Sequence, residues 1–159
     1  MRQLIMLGVV RLAAFSLVSA ARAEDDDRCK DVNGHDVLTV IPAPNDPMGR
    51  ALGSSIGNLK AAISVYQTSP TTAVGVWVLG PQDILIFNGT FSVSPIPGAP
   101  VGTVSLSATL TVAGGTGEFA GASGVLQTSG TGFNFFGPKA GPGSTYFEEK
   151  YKGNICRVR

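Results

Sequence analysis

A chain of 159 residues fits a single domain. Apolar residues reach 43%, charged residues only 14%, and the net charge is +1, which excludes a disordered chain and leaves no electrostatic basis for binding nucleic acid or an anionic membrane surface. With 21 glycines and 10 prolines, the profile is that of an all-β domain with many turns.

Met1 to Ala23 reads as a secretory signal peptide: Arg2 precedes an apolar stretch, and Ala21-Arg22-Ala23 fits the small-x-small cleavage pattern. Arg11 interrupts the apolar stretch, so no 18-residue uncharged run exists to span a bilayer. The signal implies a mature domain over 24–159, secreted to the apoplast of a plant or to the periplasm or exterior of a bacterium. Glu24 to Asp27 form a solvated acidic terminus. Cys29 and Cys156 are the only cysteines; in a secreted chain they favour one disulfide, with two free thiols as the alternative. A single histidine, His35, excludes the usual zinc sets.

From Asp31 to Gly53 the chain mixes Pro, Asn and Gly with short apolar pieces such as Val37 to Ile41, and Pro42, Pro44 and Pro47 exclude a helix. Leu59 to Gln67 reads as a strand, with Ala61, Ile63 and Val65 alternating against Ala62, Ser64 and Tyr66. Ala73 to Leu79 is another, with three valines on one face and Trp77 on the other. Gly80-Pro81 marks a turn, and Asp83 to Ser94 continues with Leu85, Phe87, Gly89, Phe91 and Val93 on one face. Val101 to Ala113 alternates most cleanly, as a half-buried strand does.

Gly114 to Gly124, GGTGEFAGASG, places one aromatic, Phe119, among glycines and small residues between two strand-like runs. It reads as a tight strand connection with Phe119 tucked inward. A phosphate loop would open a helix, and none follows. Gly124 to Phe136 and Ser144 to Cys156 are the last strands, separated by a loop over Gly137 to Gly143. Seven or eight strands suit a sandwich or a barrel, and a disulfide joining first and last strands favours closure. Between Lys60 and Lys139 only Asp83 and Glu118 are charged, so acid–base candidates are few there.

GGTGEFAGASG resembles the GGTG-x-F-x-x-A-x-G segment of dirigent proteins and the allene oxide cyclase-like barrels. His35-Asp36-Val37-Leu38 is similar to the His-Asp motif of the dirigent first strand, and Asp36-Val37-Leu38-Thr39 also to a later Asp-x-Leu-Thr segment. Gly49-Arg50-Ala51-Leu52-Gly53 resembles the family's GRAQG segment, and Cys29 and Cys156 are placed like its terminal disulfide. The resemblance implies an all-β, eight-stranded antiparallel barrel with an apolar lumen, often trimeric. It implies a small apolar or phenolic ligand whose stereoselective coupling or cyclisation is steered by confinement, with a separate oxidase as partner where a radical is needed. A cyclase or isomerase, or a non-catalytic binding or structural barrel, are the alternatives. The family's arginines around the glycine segment have no counterpart here.

On this reading Asp36 is the candidate catalytic acid, a carboxyl kept neutral by an apolar cavity; a turn-capping Asp is the structural alternative. Arg50 lines the lumen mouth or pairs with Asp46 or Asp83. Tyr66, Trp77, Phe87, Phe91 and Tyr146 are candidates to stack on a ligand, as are Phe133, Phe135 and Phe147, against a plain core or interface role. Glu118 is solvated. Asn88-Gly89-Thr90 is an N-glycosylation pattern, and a glycan on Asn88 would turn Phe87 and Phe91 inward. No metal set, cofactor fingerprint or nucleophile constellation is visible.

Overall fold

A computed structural model describes residues 28–41, 49–141 and 143–157. The predicted signal, the acidic terminus, Asp46 and the three prolines at 42, 44 and 47 lie outside them. The elements are β1 (Cys29–Ile41), β2 (Arg50–Gly57), β3 (Ala61–Ser69), β4 (Thr72–Val78), β5 (Ile84–Pro95), β6 (Val104–Thr116), β7 (Ser123–Phe133) and β8 (Tyr146–Cys156), with one 3-10 turn at Gly117–Phe119. Each strand pairs antiparallel with the next, and β1 pairs with β8, closing an eight-stranded barrel.

Closure gives every strand two neighbours and removes the edges that would otherwise present unpaired backbone groups. The seam is long: β1 and β8 stay in register from Cys29 opposite Cys156 to Thr39 opposite Tyr146. The Cys29–Cys156 disulfide locks its end across a sequence separation of 127. Arg157, one residue beyond, lies over the Phe119 ring at 4.4 Å and donates to Glu118 at 2.7 Å. Glu118 is therefore exposed but ion-paired rather than merely solvated.

The alternation read from the sequence sets what points inward. Ala61, Ile63, Trp77, Leu85, Phe87, Val104, Val112 and Leu126 are all buried. The β4 valines face outward, Val78 being exposed. Two long strands at the start were not evident from the sequence, because glycines and polar residues break the apolar pattern over Asp31 to Gly53. Boundaries also shift, three of them by three residues. The β6 strand begins at Val104 rather than Val101, after a turn in which Thr103 N–H donates to Pro100 O at 3.0 Å. It then continues through Gly114 and Gly115, whose register with β5 shifts at a bulge between Ile86 and Phe87. At the other side β7 stops at Phe133, because Asn134 takes a φ of 53° and leaves the ladder.

The tight connection is thus shorter than the glycine segment, Gly117 to Ala122. Gly117 holds a φ of +58°, and a Cβ there would strike Asp83 and the Gln82 carbonyl. Asp83 accepts from Glu118 N–H at 3.0 Å, so the two lone charges of the central region meet at this corner. Phe119 has 0% exposure and closes that end of the barrel.

Severing the disulfide releases a loop of this length in the unfolded chain, which in the chain-entropy account costs roughly 4–5 kcal/mol. The double variant Cys29→Ser/Cys156→Ser is expected to lose stability on that order in urea denaturation. An unchanged midpoint would show that β1 and β8 hold without the covalent tie.

Candidate functional site

The barrel interior is divided by side-chain size. At the end closed by Phe119, large residues meet: the Trp77 ring lies 5.1 Å from both Phe87 and Tyr151, with Leu85, Leu126 and Ile155 packed around them. Tyr151 is anchored by its hydroxyl, which accepts from Leu59 N–H at 3.1 Å. Towards the other end the inward positions are small, among them Ala51, Ala73, Gly89 and Ala108, and the barrel is hollow. The cavity has a volume of about 810 Å³. That lies within the usual range for small-molecule sites, roughly 300–1,000 Å³.

The walls are apolar: Leu38, Val40, Val65, Phe91, Leu106 and Leu110. The β7–β8 connection forms the rim, contributing Phe135, Phe136 and Thr145. It is pinned to β1 by Val40 N–H donating to Thr145 O at 2.9 Å and Gly143 N–H donating to Val40 O at 2.7 Å. Thr145 in turn donates to Asn134 O at 2.8 Å.

The floor is polar. Asp36 on β1 sits opposite Ser55 on β2 and opposite Glu149 on β8, so the register lines up three polar side chains around the wall. Glu149 faces Gly130 on β7, and Thr128 stands diagonally beside it. Asp36 and Thr128 are each 4% exposed and Glu149 is 8% exposed. Ser55 donates to Leu59 O at 2.8 Å. Asp36 Oδ1 and Thr128 Oγ1 have no hydrogen-bond partner, although both line the cavity.

Burial pushes the Asp36 carboxyl up from 3.8 to about 7; the Ser55 hydroxyl opposes the shift and the Glu149 charge adds to it. Burial likewise raises Glu149, against the Thr128 hydroxyl. Two acids this close, in surroundings this dry, resist ionising together. Near neutral pH the floor therefore holds a proton that can be given up or taken back.

The predicted site residues separate into two groups. Asp36, Arg50, Trp77, Phe91, Phe135 and Phe147 border the cavity. Phe87 points inward but belongs to the plug, 1% exposed beneath Trp77. Tyr66 and Tyr146 do not reach the lumen: Tyr66 is 39% exposed on the outer face, and Tyr146 stacks on Phe133 outside the barrel at 4.7 Å. Strand parity decides this, since each sits one residue out of step with its inward neighbours. Arg50 makes no pair with Asp83, which is engaged at the far corner. Its guanidinium lies over the Tyr66 ring at 4.4 Å and donates to Ser64 at 3.3 Å, while Nε is buried without a partner. Asn88 and His35 are exposed on outward positions, and Phe87 and Phe91 turn inward as the glycosylation reading requires.

Glu149, Thr128 and Ser55 were missed. Glu149 lies in Glu148-Glu149-Lys150-Tyr151-Lys152, which looks like a solvated charge run. The available signal was parity: Phe147 and Tyr151 as inward residues place Glu149 between them.

No known protein family matches the chain, and no curated protein or solved structure matches it. Among the described residues, no helix is long and apolar enough to cross a membrane, and no group of three or more His, Cys, Asp or Glu side chains is placed to hold a metal ion. The disulfide is compatible with an oxidising, extracytoplasmic location.

The buried acids make stability depend on pH in a definite direction. The folded state keeps its Asp36 proton up to about pH 7, whereas the unfolded chain releases it near 3.8. Stability from this group is therefore greatest below the unfolded value and is lost as the pH rises through that interval, on the order of 4 kcal/mol in all. Asp36→Asn is expected to match the wild type near pH 4 and to be increasingly more stable by pH 8. The check is the difference in urea-denaturation free energy at several pH values; a gap that stays constant would mean that Asp36 is solvated and ionised throughout.

Proposed function

We propose that this chain is a secreted, dirigent-like barrel that takes one small apolar or phenolic molecule into its half-hollow lumen and directs a stereoselective coupling or cyclisation there. The supporting observation is the cavity of about 810 Å³ with largely apolar walls and a buried, carboxyl-bearing floor. Apolar walls supply burial energy, roughly 25 cal/mol per Å² removed from water. The polar floor fixes which end of the guest goes in first. A guest held in one orientation reacts from one face, and exclusion of water protects a reactive intermediate.

The glycine segment that carries the resemblance takes no part in this. None of residues 114–124 borders the cavity, because they close the opposite end. The missing arginines of that segment therefore do not bear on the lumen. A cyclase or isomerase reading draws on a different feature, the floor acid Asp36, whose carboxyl titrates at about 7 and is suited to protonating a guest at neutral pH. In the steering case the oxidising equivalent comes from a separate oxidase, and assembly of the barrel as a homo-oligomer leaves this scheme unchanged.

Filling the hollow half tests the reading. Ala108→Phe projects a ring from β6 into the cavity and leaves the plug and the seam untouched. Thermal shift with a panel of phenols and fatty-acid epoxides is expected to stabilise the wild type and not the variant, and any enantiomeric excess imposed on an oxidative phenol coupling should vanish with it. Equal shifts in both proteins would place binding outside the lumen and overturn the proposal.

A further inference from the structure

The cavity floor offers hydrogen-bond acceptors in excess. Asp36 and Glu149 supply four carboxyl oxygens between them, and Thr128 adds a hydroxyl oxygen that nothing occupies. Even with one acid protonated, acceptors outnumber donors. A guest that only accepts, such as an ether, ketone or ester, leaves most of them unmet. A guest with several donors and no acceptor satisfies them; the organic groups of that kind are N–H cations, and the most compact of them, suited to a narrow lumen, is a protonated amine with up to three N–H bonds.

Charge points the same way. The cavity lining contains one basic side chain, Arg50, which stands five residues along β2 from Ser55, roughly 17 Å from the floor. The elements packed against Asp36 bring no cation to it. From β2 comes Ser55; from β8 come Glu149 and Tyr151, whose hydroxyl is engaged with Leu59; from β7 comes Thr128. His35, Glu148, Lys150 and Lys152 alternate to the exposed outer face. A metal ion is a poor substitute, since a hard cation seeks six or more oxygens and no group of three or more His, Cys, Asp or Glu among the described residues is placed to hold one.

Resting on the lumen as a ligand site, we infer that the floor formed by Asp36, Glu149 and Thr128 recognises the protonated amine of an otherwise apolar or aromatic guest, an arylalkylamine or a phenolic amine, whose body lies along the apolar walls. Binding the ammonium favours the ionised carboxyls, so a proton leaves the floor for solvent as the cation arrives. Affinity for the amine then rises with pH until the pair is already ionised in the empty barrel.

Titration calorimetry on the intact protein with three matched probes tests this: 4-phenylbutylamine, 4-phenyl-1-butanol and 4-phenylbutyrate. The amine is expected to bind about tenfold or more tighter than the alcohol at pH 8, and the carboxylate weakest. Between about pH 5.5 and 8 the amine should tighten while the alcohol does not, and its heat should vary with buffer ionisation enthalpy in the sense of proton release. In Asp36→Asn/Glu149→Gln the amine should fall to the level of the alcohol, with alcohol binding retained as the sign of an intact cavity. If that variant does not fold, the wild-type pH series decides alone. Alcohol binding as tight as amine, or an amine affinity flat with pH, overturns the amine assignment and leaves the lumen site standing. Failure of every probe to bind overturns both.

Discussion

Eight strands in a closed ring fix the circumference of the interior, and that constraint governs everything else in the molecule. An interior of this width admits inward side chains and little more. Where those are Trp77, Phe87, Leu85 and Tyr151, the space is consumed. Where they are Ala51, Ala73, Gly89 and Ala108, it is not. The same backbone thus yields a packed core and a cavity in series, and the boundary between them is a matter of side-chain volume alone. The packed half supplies the apolar burial that a domain of this size needs to fold, which frees the other half from that duty.

The acid pair sits at that boundary, and its position explains its chemistry. One step deeper, the carboxyls would lie among rings with no access to a guest. One step towards the rim, water would solvate them and their titration would return towards the ordinary range. At the boundary they are dry, mutually repelling and still reachable from the lumen. Such a pair detracts from stability at neutral pH, since burying an uncompensated charge is costly. A fold held by an eight-strand ladder and a covalent seam tolerates it; the local conflict between a buried polar group and the fold is of the kind that marks function rather than architecture.

Much of the architecture was legible because a two-residue period is a strong signal. Val104 to Val112 and Leu85 to Val93 declared both their strand and their faces. The disulfide followed from two cysteines in a chain read as secreted, and the inward Phe119 from the glycines and small residues around it. The opening pair, β1 and β2, was opaque, because Gly34 and Gly53 stand where apolar residues would have marked the inward face. Their smallness has a physical cause: a Cβ on Gly34 would collide with Tyr151, and one on Gly53 with the Val37 carbonyl. The site was legible in part for the same reason. Asp36 was identified through a resemblance to dirigent proteins, while Glu149 was concealed among charges that face the other way. Tyr66 and Tyr146 were misplaced because aromatic content was weighed without parity, and in a strand parity decides on which side of the wall a ring lies.

The separation of the glycine segment from the cavity bears on what the resemblance can be used for. A segment such as Gly117 to Ala122 serves the backbone: it turns β6 into β7, caps the barrel with Phe119 and receives the Asp83 carboxylate. Those tasks recur in any barrel that closes this way, whatever its lumen holds. The lumen is shaped by residues far from that corner, drawn from all eight strands and from the connections at the rim. Fold and lumen are therefore encoded in different positions, and on the proposed reading the polar end of a guest answers to the floor. There the decisive fact is an imbalance, of oxygens over donors and of acids over bases, and it lies in side chains that no short contiguous motif contains.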